Sequence, residues 1–243
     1  MAESLIGKRI LITGAAYRLG KVMAIAAARA GADILLHHGH SDREAEETAR
    51  LIKDEGRNAW ILKADLSDPK QVAHLFDEAK QMGPIYGLVN NAAIFPPGGL
   101  LDTSLVTWQN ILSVNLTAPF LLSQSYIGLH TPGQTGRIIN ILDWRALRPG
   151  RDHFGYTISK AGLAALTEAS ALAGSPDICV NAIALGAILP PTNEPENTEI
   201  LKNVPAKRWA TMQELEETFL FLLNGPAYVT GEIIHLDGGR HLV

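Results

Sequence analysis

Tyr156 and Lys160, four positions apart, are the pair of side chains in this 243-residue sequence whose spacing most directly suggests chemistry. On a helix they share one face, where the ammonium can stabilise a phenolate while the phenol gives or takes a proton. Taken alone, the pair reads more simply as an interfacial tyrosine beside a solvated lysine. A second group is the run Thr13-Gly14-Ala15-Ala16-Tyr17-Arg18-Leu19-Gly20. Small residues at a strand-to-helix turn let the backbone approach a pyrophosphate, whose charge meets N–H groups and the positive helix end. Glycines also cap turns with no ligand involved, so this run by itself is weak. The third group is His37-His38-Gly39-His40-Ser41-Asp42-Arg43, whose three histidines invite a metal. No acidic or cysteine partner at ligand spacing accompanies them, and no metal is expected.

The elements that must position these groups follow from a recurring rhythm. Runs rich in β-branched residues predict strands over 9–13, 34–37, 59–63, 87–90, 137–142, 179–184 and 232–236. Helical patterns lie between them over 19–30, 43–55, 69–82, about 105–127, 157–173 and 212–223. Near-continuous apolar strands suit a parallel sheet covered on both faces, so the expected fold is α/β, a doubly wound sheet of about seven parallel strands. Asp68 before Pro69 is a helix start signal, and Ser41 or Asp42 can cap the helix containing Glu46. No repeat, linker or charge block divides the chain, which predicts one domain over 1–243. Only 188–207 resists assignment: with four prolines it is too long for a simple connection, and a mobile lid over substrate is expected.

Composition narrows the function. Hydrophobic residues make up 47% and charged residues 19%, as in an ordinary globular chain. The net charge of −4 gives no general electrostatic reason to bind nucleic acid or an anionic membrane. The single cysteine, Cys179, cannot form an internal disulfide. Residues 1–12 lack a signal peptide's apolar core and cleavage site, and the most apolar long stretch, 22–36, is interrupted by Arg29 and Asp33. A cytoplasmic protein acting on a small molecule is expected.

Asp65 after the third strand, Asn90-Asn91-Ala92 after the fourth, Asn115 in the long helix and Tyr156-x-x-x-Lys160 complete a set that runs the length of the chain. Together with the glycine run, in this order and at these distances, it resembles the short-chain dehydrogenase/reductases. The resemblance implies that Tyr156 donates a proton, that Lys160 lowers its pKa and binds the cofactor ribose, and that Asn115 holds a water in a relay through Lys160. Asn115 can also be read as a helix-interior asparagine bonding locally. Gly14, Tyr17, Arg18, Leu19, Gly20, Asp65, Leu66, Asn91, Ala92, Ala93 and Gly186 would join Tyr156 and Lys160 in holding a nicotinamide dinucleotide. In such proteins an acid at the end of the second strand selects NADH; His38 stands there instead, and Gly39, His40, Ser41 and Arg43 can form an anion site. NADPH is therefore expected, although Asp42 tempers this. A homodimer or homotetramer built on the helix around 110–124 and the helix after Tyr156 is also implied.

The sequence departs from this family where it is most informative. Most members carry a serine 13 residues before the catalytic tyrosine; here that position, 156 − 13 = 143, is Asp143. A carboxylate ~4 Å from a developing alkoxide is repelled by ~4 kcal/mol at an effective dielectric of 20. For a nitrogen heterocycle the sign reverses, because ring and amino N–H groups donate to a carboxylate and a carboxylic acid can protonate a ring nitrogen. Arg18 in the glycine run, Phe95 after the fourth strand and the Asp237-Gly238-Gly239-Arg240-His241-Leu242 ending accompany Asp143. The four features resemble the pteridine reductases, including bacterial dihydromonapterin reductases, which implies a pterin-like substrate held by Arg18, Phe95, Asp143 and Tyr156. Plainer readings are a phosphate-facing Arg18 and a Phe95 packed on Pro96 and Pro97. Ala93 replaces a Ser that the pteridine reductases often use, and Leu185-Gly186 replaces the wider family's usual Pro-Gly after the sixth strand. The rivals are a carbonyl or sugar-alcohol oxidoreductase and a catalytically silent NADPH-binding regulator, the latter disfavoured by the intact Tyr156, Lys160 and Asn115.

Overall fold

Alternation along each strand decides the layering. In β1 (Arg9–Ile12), Ile10 and Ile12 face one hydrophobic cluster and Leu11 the other, so both faces of the strand are covered. The computed structural model, which describes residues 4–189 and 198–243, continues the sheet with β2 (Asp33–His38), β3 (Ala59–Lys63), an edge strand with Ile61 and Lys63 exposed, β4 (Gly87–Asn90), β5 (Gly136–Asp143), β6 (Ile178–Leu185) and β7 (Ile233–Leu236). All seven pair in parallel in the order β3-β2-β1-β4-β5-β6-β7. Helices α1 (Arg18–Arg29), α2 (Asp42–Asp54) and α7 (Met212–Asn224) bury Met23, Ile52 and Phe219 on one face. On the other lie α3 (Pro69–Gln81), α4 (Leu105–Leu112), α5 (Ala118–Gly128) and α6 (Phe154–Gly174), with Leu75, Leu122 and Leu163 buried. This is the expected doubly wound sheet.

Several local expectations change. The helix anticipated over about 105–127 is interrupted: α4 passes through a π turn, Ser113–Thr117, before α5 begins. Helix α6 starts at Phe154, so Tyr156 lies in its first turn, and its N-cap residue His153 is left-handed, with φ 50°. Asp68 accepts the Lys70 N–H at 2.9 Å with Pro69 behind it, whereas Ser41 stands at the N-cap of α2 without a side-chain capping bond. Of the anticipated lid, Thr198–Asn203 forms 3-10 turns, while 190–197 lie outside the described residues.

A buried polar network fixes the central strands beneath the helices. Asn90 Nδ2 of β4 donates to Asn140 Oδ1 at 2.8 Å and to Ser123 Oγ of α5 at 3.3 Å; Asn140 Nδ2 of β5 donates in turn to Thr167 Oγ1 of α6 at 2.9 Å. Each is buried, so loss of one partner would strand the others without water.

Close approach governs the start of α1. A Cβ on Gly20 would run into the Gly14 carbonyl and lie 2.8 Å from Asn91 Nδ2, and one on Gly14, whose φ is +63°, would lie 3.0 Å from Ala92 Cα. Gly128 ends α5 with no atom within 4 Å of its hypothetical Cβ and no positive φ. Gly20→Ala is therefore expected to cost ~1–3 kcal/mol through enforced backbone shifts. Gly128→Ala is expected to stabilise by ~0.5–1 kcal/mol, with Tm moving about 2–4 °C per kcal/mol. Thermal melts of the two variants check the opposite signs.

Candidate active site

Strand β1 has β2 on one side and β4 on the other, so chain order reverses between β1 and β4 and a crevice opens beyond their carboxyl ends. Side chains lash that crevice together. Thr13 Oγ1 donates to the Val89 carbonyl at 3.2 Å and accepts the Asn91 and Ala92 N–H groups at 3.0 and 3.1 Å. Asn91 Nδ2 donates back to the Thr13 and Gly14 carbonyls at 2.8 and 3.0 Å. His37 Nδ1 accepts the Gly14 N–H at 3.2 Å while Nε2–H donates to the Ala64 carbonyl at 3.1 Å, which assigns the tautomer. Burial lowers its pKa to about 4, so this neutral ring is a fixed strut between β1, β2 and β3.

The crevice continues into a cleft of about 550 Å³. The structure gathers along it Gly14, Tyr17, Arg18, Leu19, Gly20, His38, Gly39, His40, Ser41, Asp65, Leu66, Asn91, Ala92, Ala93, Asp143, Tyr156, Lys160 and Gly186. Arg43, Phe95 and Asn115 do not line it. Arg43 is exposed on α2. At the rim, the His38 ring is buried with Nδ1 unpartnered and Nε2 3.8 Å from Asp42. Lys63 grips Asp42 at 2.7 and 2.9 Å and, chiefly through that bond, holds its carboxyl below the usual range. Arg18 enters α1 left-handed, with φ 52°, a conformation costing roughly 1–2 kcal/mol for a side chain other than glycine.

At the far end β5 and α6 converge. Tyr156 Oη donates to Asp143 Oδ2 at 3.4 Å, a long bond; Asp143 Oδ1 accepts the Arg145 N–H at 2.8 Å and lies 3.6 Å from its guanidinium. Burial raises the Asp143 carboxyl pKa despite the opposing Arg145 and Lys160 charges. Burial, reinforced by the Asp143 charge, also holds the Tyr156 hydroxyl well above its ordinary value. Lys160 is buried, donates to the Ile141 carbonyl at 2.6 Å, and is pushed down to about 8 by burial against the pull of Asp143. The Lys160 ammonium thus sits on a strand carbonyl, 5.7 Å from the Tyr156 ring centroid.

Asn115 lies in the π turn, behind the cleft. Its Oδ1 accepts the Ile94 N–H at 2.9 Å, and its Nδ2 donates to the Ile94 carbonyl at 3.0 Å and to Ser159 at 3.1 Å. Ser159 donates to the Tyr156 carbonyl at 2.7 Å, so Asn115 braces the loop after β4 against the turn carrying the tyrosine. Phe95 is half-exposed. His153 stacks on its ring at 3.7 Å and 6°, and Tyr156 meets it edge-on at 4.5 Å. Thr13 and His37 stood in runs singled out from the sequence but without these roles, and Ser159, Arg145 and His153 escaped the sequence reading. A helical count would have put Ser159 beside Tyr156; His37 and Arg145 gain their partners only through strand register and a turn.

Comparison with known proteins agrees with this geometry. A family model described as Enoyl-(Acyl carrier protein) reductase matches residues 14–241. The chain is 36% identical over 248 residues to 2-dehydro-3-deoxy-D-gluconate 5-dehydrogenase of Bacillus subtilis, covering 98% of this chain and 96% of the relative. It is 32% identical to 3-oxoacyl-[acyl-carrier-protein] reductase of Synechocystis sp., covering 94% and 95%. Among solved structures, FolM Alternative dihydrofolate reductase 1 from Brucella canis complexed with NADP superposes with a TM-score of 0.93 at 32% identity, covering 100% of this chain and 97% of the other. From matches over nearly its whole length, with the crevice, the tyrosine–lysine pair and the glycine cradle in place, the chain belongs to the short-chain dehydrogenase/reductase family.

Proposed function

We propose that this protein is an NADPH-dependent reductase of a pterin-like ring. The observation that carries this reading is Asp143 against Tyr156: a partly buried carboxyl, its pKa raised by burial, hydrogen-bonded to the phenol where a ketone reductase needs a neutral donor. An ionised carboxylate there opposes an alkoxide by ~4 kcal/mol, whereas its acid form can hand a proton to a ring nitrogen. The cleft fits a dinucleotide, since Gly14 and Gly20 leave the space a Cβ would fill at the amino end of α1. The related Brucella canis structure is a complex with NADP.

When bound, the reduced nicotinamide supplies hydride to a ring carbon. The chain's part is to place the acceptor and deliver the balancing proton to the adjacent nitrogen, so that C=N becomes CH–NH. Tyr156 Oη–H is that donor, Asp143 orients the ring or reprotonates the phenol, and Lys160, which gives one N–H to the Ile141 carbonyl, offers its remaining N–H groups to ribose hydroxyls. Arg18, which lines the cleft, and Phe95, which lies outside that lining but meets Tyr156 edge-on, flank the acceptor, and Asn115 serves the relay through its hold on Ser159. The groove of Leu116, Phe120, Gly162 and Leu166 between α5 and α6 supports assembly as a homodimer or homotetramer. A second reading, a carbonyl or sugar-alcohol oxidoreductase, is favoured by the 36% identity to the Bacillus subtilis 2-dehydro-3-deoxy-D-gluconate 5-dehydrogenase.

The rim of His38, Gly39, His40 and Ser41 predicts that NADPH binds at least ~10-fold more tightly than NADH, ~1.4 kcal/mol, with His38→Asp moving the preference toward NADH. Fluorescence titrations giving equal constants in the wild type would reject the cofactor assignment. Tyr156→Phe is expected to abolish turnover and leave NADPH binding nearly intact, because only the donating hydroxyl goes; Lys160→Ala should impair both. Retained turnover in Tyr156→Phe would shift proton delivery to Asp143 or water.

The substrate assignment is tested at residue 143. Asp143→Ser should lower dihydropterin reduction by ~10- to 1000-fold while activity on simple activated ketones holds or rises. Because the acid form is the competent one, dihydropterin turnover should fall as rising pH carries Asp143 through its elevated pKa, and Asp143→Asn should lose that limb. Parallel losses on pterins and ketones would put the carbonyl reading ahead.

A further inference from the structure

Immediately after Asp143 the chain bends through the 3-10 turn Trp144–Ala146, and the turn Arg240–Leu242 packs against it. Asp237 builds the second turn. Its buried carboxylate accepts the Gly239 N–H at 2.9 Å through Oδ1, and the His241 N–H and ring Nδ1 at 2.8 Å through Oδ2. The turn so fixed carries Arg240, whose guanidinium carbon lies 4.8 Å from the Trp144 ring centroid, the same distance as that of Arg145. Arg145 also lies 5.7 Å from the Phe95 ring centroid and donates to Asp152 at 3.1 Å. Arg148, exposed on the same loop, donates to the His241 carbonyl at 3.3 Å.

This gathering of positive charge is only partly compensated: Arg145 pairs with Asp152 and lies near Asp143. Arg240 donates to the Asn203 carbonyl, and among the described residues neither Arg148 nor Arg240 has a carboxylate within ion-pair distance. A carbonyl accepts a hydrogen bond without cancelling a charge, so the guanidinium groups repel one another. Burial, and then the Arg145 and Arg148 charges, pull the Arg240 pKa below its ordinary value. The cofactor's phosphates do not account for the cluster, because the cradle and rim belong to β1–α1 and β2–α2, whereas these arginines sit on the β5–α6 loop and the final turn. Arg145 ties them to the reacting end, being bonded to Asp143 through its own N–H.

We infer that Arg145, Arg148 and Arg240 recognise an oxyanion, a phosphate monoester or a carboxylate, carried on the side chain of the substrate whose ring is held at Asp143 and Phe95. This rests on the proposed reduction for the identity of the ring, but not for the anion. The guanidinium fork matches either oxyanion, and adjacent arginines favour a doubly charged one.

Two experiments separate the inference from that reading. In the first, kcat/KM is measured with NADPH for a dihydropterin bearing a neutral hydroxyalkyl side chain, for its phosphate monoester and for dihydrofolate, whose tail carries carboxylates. The wild type should prefer an anionic form by about tenfold or more, the order of one charge-assisted hydrogen bond, and Arg148→Glu and Arg240→Gln should each erase the preference. Whichever anionic form gains more identifies the oxyanion. In the second, inorganic phosphate is titrated calorimetrically into protein saturated with NADP+, so that the cofactor's own phosphate sites are filled. The wild type should bind phosphate, and Arg148→Glu, an exposed change that does not endanger folding, should weaken it at least tenfold. No turnover of any dihydropterin would remove the proposed ring and leave the titration to decide the anion site. No phosphate binding by the wild type, or equal binding in wild type and Arg148→Glu, would overturn the inference.

Discussion

A buried ammonium hydrogen-bonded to a strand carbonyl sets the terms for the rest of the site. Lys160 lies almost wholly out of water, with its Nζ on the Ile141 carbonyl. A lysine removed from solvent is unfavourable by several kcal/mol unless neighbouring groups compensate. Asp143 supplies that compensation through space and stands two residues along the same strand. Each group displaces the other's proton equilibrium: the ammonium draws the carboxyl down while burial lifts it, and the carboxylate draws the ammonium up while burial lowers it. The balance depends on where β5 ends, and β5 is held by its eight-residue register with β6 and by the Asn90–Asn140–Thr167 network.

Backbone strain collects at the two helix entrances that border the cleft. Arg18 begins α1 and His153 precedes α6, and both are left-handed without being glycine. Such residues persist where their side chains are needed in a fixed direction. Arg18 projects along the cradle, and His153 lays its ring on Phe95, which in turn meets Tyr156 edge-on.

What could be read from the chain was whatever depends on spacing within one element. The tyrosine–lysine step of four, the glycine run at a strand end and the apolar strands are local facts, and the sheet order and the cleft follow from them with little further information. What could not be read depends on elements meeting. His37 looked like one of three rim histidines; register between β2 and β3 turns it inward as a strut. Lys160 was legible as the helical neighbour of Tyr156, but the carbonyl that takes its ammonium belongs to β5 and was not. Arg145 and Arg240 are far apart in sequence and share a tryptophan only after the last strand has been added to the sheet.

The π turn at Ser113–Thr117 has a meaning beyond the placement of Asn115. A π bulge is in effect a single extra residue absorbed by a helix, and the flanking turns keep their phase. Helices α4 and α5 can therefore present their apolar faces as one uninterrupted helix would, while the widened turn between them holds an asparagine facing the loop after β4. Packing and chemistry are thus written in separable letters along this segment. A chain shortened by one residue within the bulge would retain the helical register that builds the core and lose the side chain that braces the tyrosine's turn.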